Sequence, residues 1–152
     1  MRGRILAIDF GMKRLGLAIS DPLGITAQGL ATRTRTRVDD DLQHLRRLVN
    51  ENSVERVIVG NPLSQAGGET AMSRQVAAFV GKLARQLPCP VELWDERLTT
   101  AQAMRVLRAS GIGIEKRRQA SDRVSAVLLL QSYLDFLTNQ QSRKSSQRTE
   151  QP

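Results

Sequence analysis

The chain has 152 residues, a formal net charge of +8, 40% hydrophobic, 25% charged and only 3% aromatic residues. That length suits one domain with a substantial core, and so few aromatics argue against a stacking platform for unpaired bases. Its one cysteine, Cys89, excludes an internal disulfide and a cysteine-rich zinc site.

No apolar run reaches the roughly 20 residues that cross a bilayer. The acid in "MRGRILAIDF" argues against a signal peptide, so a cytoplasmic protein is expected. The basic excess favours polyanionic partners, nucleic acid before membrane.

Arg4–Asp9 and Leu15–Ser20 read as short strands joined by the "FGMKR" turn, and "DPLG" marks a second turn. Ile25–Thr32 can form a third strand, which completes an antiparallel meander. From Val38 to Asn50 the period becomes helical, with Leu42, Leu45, Leu48 and Val49 on one face. Asp39, Asp40 and Asp41 suit that helix's N-terminus. Val54–Gly60 is a buried strand, "NPLSQAGGE" a loop, and Met72, Val76, Phe79, Val80, Leu83 and Leu87 make an amphipathic helix. "VELWDE" is a further strand. Thr99 and Gln102 form a capping box for a short helix holding Met104 and Leu107. "ASGIGIEKRRQ" reads as a loop and Ser121–Leu137 as the last helix. Residues 1–138 form the domain, and the polar stretch 139–152 is expected to be a disordered tail. The expected fold is α/β: a mixed five-stranded sheet, antiparallel in its first three strands and then parallel, flanked by helices.

Ligands of such sheets sit outside the carboxyl ends of the parallel strands, and acids stand at those ends here. Asp9 closes the first strand, Asp95 and Glu96 close the last, and Asp122 opens the final helix. Burying an unpaired carboxylate costs several kcal/mol, so acids that converge call for a divalent cation. Mg²⁺ takes one or two carboxylates together with waters and phosphate oxygens, and a pair of such ions supports phosphodiester hydrolysis. Lys13, Arg14, Arg97, Lys116, Arg117 and Arg118 surround these acids and could hold a polyanion's phosphates. Alternation along the strand sends only one of Asp95 and Glu96 toward a given face. Either Glu96 or Asp95 could then be the ligand, the other a supporting partner.

"DFGMKRLGLAISD", "VGNPLSQAGGE", "DERLTT" and "KRRQASDRVSAVLLLQSYL" together resemble the YqgF/RuvX family, over nearly all of Arg4–Leu137. The resemblance implies a ribonuclease H-like fold and a metal site of Asp9, Glu96 and Asp122, served by Mg²⁺ or Mn²⁺. It also implies nuclease activity, either processing of precursor 16S ribosomal RNA or resolution of Holliday junctions, by a monomer or homodimer without membrane attachment.

Blander readings exist for each feature. Asp9 could be a solvated strand end, and Ser121 or Asp122 merely a helix N-cap. "NPLSQAGGE" could be only a loop, or a phosphate-approach segment before a helix. Arg33, Arg35 and Arg37 of "TRTRTR" could line up as a phosphate strip or be solvated charges. His44 reads as a surface residue, Cys89 as a structural thiol. Two other functions compete: nucleotide binding of the actin and Hsp70 kind, which needs a second domain, and a non-catalytic ribosome-assembly factor.

Overall fold

The structure, a computed structural model, describes residues 3–98 and 114–149, with side chains described for 3–97 and 123–144. β1 (Arg4–Phe10), β2 (Arg14–Ser20) and β3 (Ala27–Gly29) form the antiparallel meander, followed by β4 (Arg33–Thr34) and α1 (Val38–Glu51). β5 (Val54–Asn61), α2 (Ala71–Gln86) and β6 (Val91–Asp95) follow in turn. Beyond β6 comes a 3₁₀ turn, Glu96–Leu98, and then α3 (Ile114–Thr149). The strand order is β3-β2-β1-β5-β6, with β4 off this path and paired to β2. β1, β5 and β6 run parallel, so their carboxyl ends share one edge.

The period of two along each strand sorts the side chains into two cores. Leu6, Ile8 and Phe10 of β1 and Val57 and Val59 of β5 face α1 and α2, where Leu42, Leu45, Val76, Phe79 and Leu83 are buried. Ile5, Ala7, Ala18 and Ile58 face α3, which buries Ala126, Leu129, Leu130, Tyr133 and Leu134. That spacing of three and four is one helical stripe. Trp94 of β6 joins this second core: its indole N–H donates to Ser132 Oγ at 3.2 Å, and its ring meets Tyr133 edge-on at 5.1 Å.

The fold class stands as read, but the short β4 paired to β2 makes the sheet six-stranded where five strands were expected, and several boundaries move. β3 is shorter than Ile25–Thr32, because Asp21 holds the preceding loop. Its carboxylate accepts from the Ile25 amide at 2.8 Å and from the Thr26 hydroxyl at 3.1 Å. Gly24 there has a φ of 70°, where a side chain would be strained. The loop read as "ASGIGIEKRRQ" is helical from Ile114, since Glu115–Ala120 are all fair to good helix formers once past Gly113. The helix runs on through Thr149, with no Gly or Pro to interrupt it over that range. The expected helix around Met104 and Leu107 lies outside the described residues. Among the described residues no helix is long and apolar enough to cross a membrane.

Local capping is supplied where the chain needs it. Thr70 caps α2 with Ser73 in a reciprocal capping box, and the Thr70 hydroxyl also donates to Pro62 O at 2.8 Å. Cys89 is half-buried against the α1–α2 core, and burial pushes its thiol up, as suits a structural residue. His44 is half-buried on α1, and that burial, with Arg33 and Arg47 nearby, lowers its pKa.

Candidate active site

Asp9 is the second-last residue of β1 and lies on the α3 side of the sheet, because Ile5 and Ala7 precede it at the same phase. Ile8 pairs with Val59 across the parallel ladder, so β5 places Gly60 next to the level of Asp9. Gly60 in turn pairs with Trp94 of β6. Trp94 faces α3, and Glu96, two residues on, has the same phase. Its side chain reaches back across β5 and hydrogen-bonds to Asp9.

This reach depends on the missing side chain of Gly60. A Cβ at that position would stand 2.5 Å from Glu96 Oε1 and 2.8 Å from its Cγ. The bare strand backbone is the seat on which Glu96 rests. Glycine inside a strand signals close approach of another group, and that signal was available in "VIVGNP". It identifies Gly60 as a site residue that motif spacing overlooked.

Glu96 does not titrate as an ordinary carboxyl. Burial first, and then the charge of Asp9 and its hydrogen bond, push the Glu96 carboxyl up to about 8. Two acids pressed together in a low-dielectric site cannot both ionise without a counter-charge. Unfolded, Glu96 releases its proton near 4.5; folded, it keeps it until about 8. In that interval the folded state binds more protons, so the metal-free protein should lose stability steadily as pH rises. Below the interval this loss is absent. Thermal melts from pH 4.5 to 8 should show Glu96→Gln flattening the slope. An unchanged slope would remove Glu96 as its source.

Asp95 has a different environment. The residues of opposite phase face away from α3, and Asp95 is clamped by Arg97. Arg97 Nη2 lies 2.6 Å from Asp95 Oδ2 and its Nε 2.9 Å from the same atom, while the Arg97 amide donates to Oδ1 at 3.0 Å. The Arg97 side chain holds the Asp95 carboxyl below the usual range. Arg97 Nη1 also donates to Gln65 O at 3.2 Å, which ties the loop after β5 to the 3₁₀ turn. Arg97, expected among the phosphate contacts, therefore spends its fork on Asp95 and this loop.

The remaining candidates are placed as follows. Lys13 is exposed on the turn after Asp9, and Arg14 is half-buried at the start of β2. Lys116, Arg117, Arg118 and Asp122 fall in α3, not in a loop; their side chains lie outside the described residues. Asp122 is well inside the helix, which removes the N-cap reading. In sequence it stands four residues ahead of Ala126 and seven ahead of Leu129. The proposed arginine strip is corrected as well. Arg33 and Arg35 turn to Asp41, fully buried in the first turn of α1, with Nε–carboxylate distances of 3.2 and 3.7 Å. Arg37 alone remains exposed.

Among the described residues no group of three or more His, Cys, Asp or Glu side chains could hold a metal. The donor chemistry nevertheless fits a divalent cation at Asp9 and Glu96. Two hard oxygen donors meet at the carboxyl edge of the sheet, and the charge of one raises the pKa of the other, a repulsion that a cation would relieve.

Residues 3–136 match the profile of the family described as "RuvX: Holliday junction resolvase". A relative from Koribacter versatilis is 47% identical over 89% of this chain and 88% of its own, and one from Heliobacterium modesticaldum is 40% identical over 96% and 98%. Both carry the name "Putative pre-16S rRNA nuclease". Two solved structures share the fold. A Thermus thermophilus RuvC bound to a Holliday junction substrate is 18% identical, with a TM-score of 0.55, covering 89% of this chain and 96% of that one. A fowlpox virus resolvase with Holliday junction DNA is 16% identical at a TM-score of 0.52, over 88% and 98%.

Proposed function

The chain belongs to the RuvX family, and on that premise we propose that it is a metal-dependent endonuclease of the cytoplasm whose substrate is precursor 16S ribosomal RNA. The observation that carries this reading is the Asp9–Glu96 pair, joined over Gly60 at the carboxyl edge of the parallel strands. The relatives' shared name supports the RNA substrate.

Asp9 and Glu96 would hold the cation, Mg²⁺ or Mn²⁺, with Asp122 as a third oxygen donor. Bound there, the ion supplies an activated water and neutralises charge on the scissile phosphate. The chain's own residues set the conditions. Glu96, whose carboxyl is pushed up beside Asp9, must be ionised to bind the ion, so occupancy is coupled to pH. Gly60 lets the two carboxylates meet. Lys13, Arg14 and the basic triplet Lys116–Arg118 draw in the phosphate backbone. Arg97 holds the loop bearing Gln65 at the rim.

Labelled precursor rRNA and four-way junction DNA, incubated side by side with wild type and Asp9→Asn in Mg²⁺, Mn²⁺ or EDTA, test the reading. Metal-dependent RNA cleavage by wild type alone is expected. Cleavage confined to the junction would assign the protein to DNA resolution instead, which the family's description favours and which needs two sites, hence a dimer. Equal cleavage by Asp9→Asn would remove Asp9 from the site. Absence of both cleavage and metal binding would leave a non-catalytic RNA-binding factor.

A further inference from the structure

Three consecutive backbone carbonyls follow the end of β1, those of Gly11, Met12 and Lys13, and all three accept hydrogen bonds from one residue. Arg35 Nη1 donates to Gly11 O at 3.0 Å and to Met12 O at 3.3 Å. The Arg35 backbone amide donates to Lys13 O at 2.9 Å. The guanidinium also lies 4.4 Å above the centre of the Phe10 ring, next to Asp9 in sequence. Arg35 thus touches every residue from Phe10 to Lys13.

Arg35 is itself held. Asp41 is fully buried, and its Oδ1 accepts from Arg33 Nε at 3.2 Å and from the Thr36 amide at 3.1 Å. Its Oδ2 faces Arg35 Nε at 3.7 Å, and neither atom has a hydrogen bond of its own. The second contact is charge against charge, not a directed bond. A buried carboxylate needs such compensation, and it aims the Arg35 fork at the turn. Arginine suits this role because its planar fork can serve the aromatic face and the carbonyls together.

We infer that Arg35 is a positioning residue for the Asp9 site, locking the Gly11–Lys13 turn through its carbonyls while Asp41 anchors the arginine from α1. The inference rests on the proposed metal-dependent activity. Asp9 is separated from the turn only by Phe10, and Gly11 closes the hairpin with its own amide bonded to Arg14 O at 2.9 Å. Loosening the turn therefore frees the end of β1 and the approach of Lys13.

The test uses the full chain as wild type, Arg35→Lys and Arg35→Gln, each read for Mn²⁺ affinity by calorimetry without substrate and for amide exchange at residues 11–13. Wild type is expected to bind Mn²⁺. Arg35→Gln should bind it about tenfold more weakly, the range seen when a group supporting a metal ligand is lost. Its amides at 11–13 should exchange faster, with those of β5 unchanged. Arg35→Lys should recover part of the affinity, since it keeps the charge but loses the fork. Unchanged affinity and exchange in Arg35→Gln would overturn the inference. Faster exchange throughout the sheet would overturn it too, by showing a merely structural role. A wild type that binds no Mn²⁺ would overturn the metal site itself, and this inference with it.

Discussion

Glu96→Gln is expected to lower kcat by more than ~100-fold at saturating metal, beyond the ~10–100-fold that follows loss of a group beside a ligand. Asp95→Asn should cost far less. The two acids are neighbours in sequence, but Glu96 is half-buried against Asp9 and Asp95 is clamped by Arg97. Losing the Asp95 charge weakens a partly exposed ion pair, which contributes little to stability. Its effect should appear mainly in KM, through the loop that Arg97 ties at Gln65. Steady-state kinetics of both variants over a range of Mg²⁺ concentrations decides the matter. If Asp95→Asn proved the more damaging, Asp95 would be the ligand and the alternation along β6 would have to break at the 3₁₀ turn.

Gly60→Ala is the second large effect expected. The added methyl would collide with both Oε1 and Cγ of Glu96, so the acid must swing off the strand and away from Asp9. Activity should fall about as far as in Glu96→Gln. The melting temperature should hold or rise, because the displaced carboxyl reaches water and alanine removes glycine's excess backbone freedom. Coupling supplies the control. Adding Gly60→Ala to Glu96→Gln should cost little more activity than Glu96→Gln alone, since residues in contact are not additive. A full additional loss would mean that Gly60 acts by some route other than Glu96.

How much of this was legible beforehand differs residue by residue. Asp9 could be read directly, because an apolar strand that ends on an acid is a local pattern. The period of two said only that Asp95 and Glu96 face opposite ways; the choice of Glu96 came from the resemblance carried by "DERLTT", since nothing in the alternation itself says which of the two turns toward Asp9. Asp41 does stand in the first turn of α1, as its spacing suggests, but it has a second role. Three successive aspartates at a helix start look like partners of the helix dipole, and Asp39 and Asp40 are indeed exposed. Asp41, however, is spaced four and seven residues from Leu45 and Leu48, inside the apolar stripe. The stripe marked its burial, but nothing local announced that Arg33 and Arg35 would come back to neutralise it. The start of α3 was missed for a related reason. Two glycines and a basic triplet look like a loop, whereas the helix begins directly after the second glycine and takes the charges along.

The placement of Trp94 gives the protein a built-in optical gauge. It is the chain's only tryptophan, so all indole emission comes from one spot, two residues before Glu96. There it is in register with Gly60, bonded to Ser132 and edge-on to Tyr133. Any shift of α3 against β6 must change the polarity around that ring. Unlabelled protein can therefore report by its emission colour whether the wall behind the two carboxylates stays seated when a cation or a nucleic acid arrives.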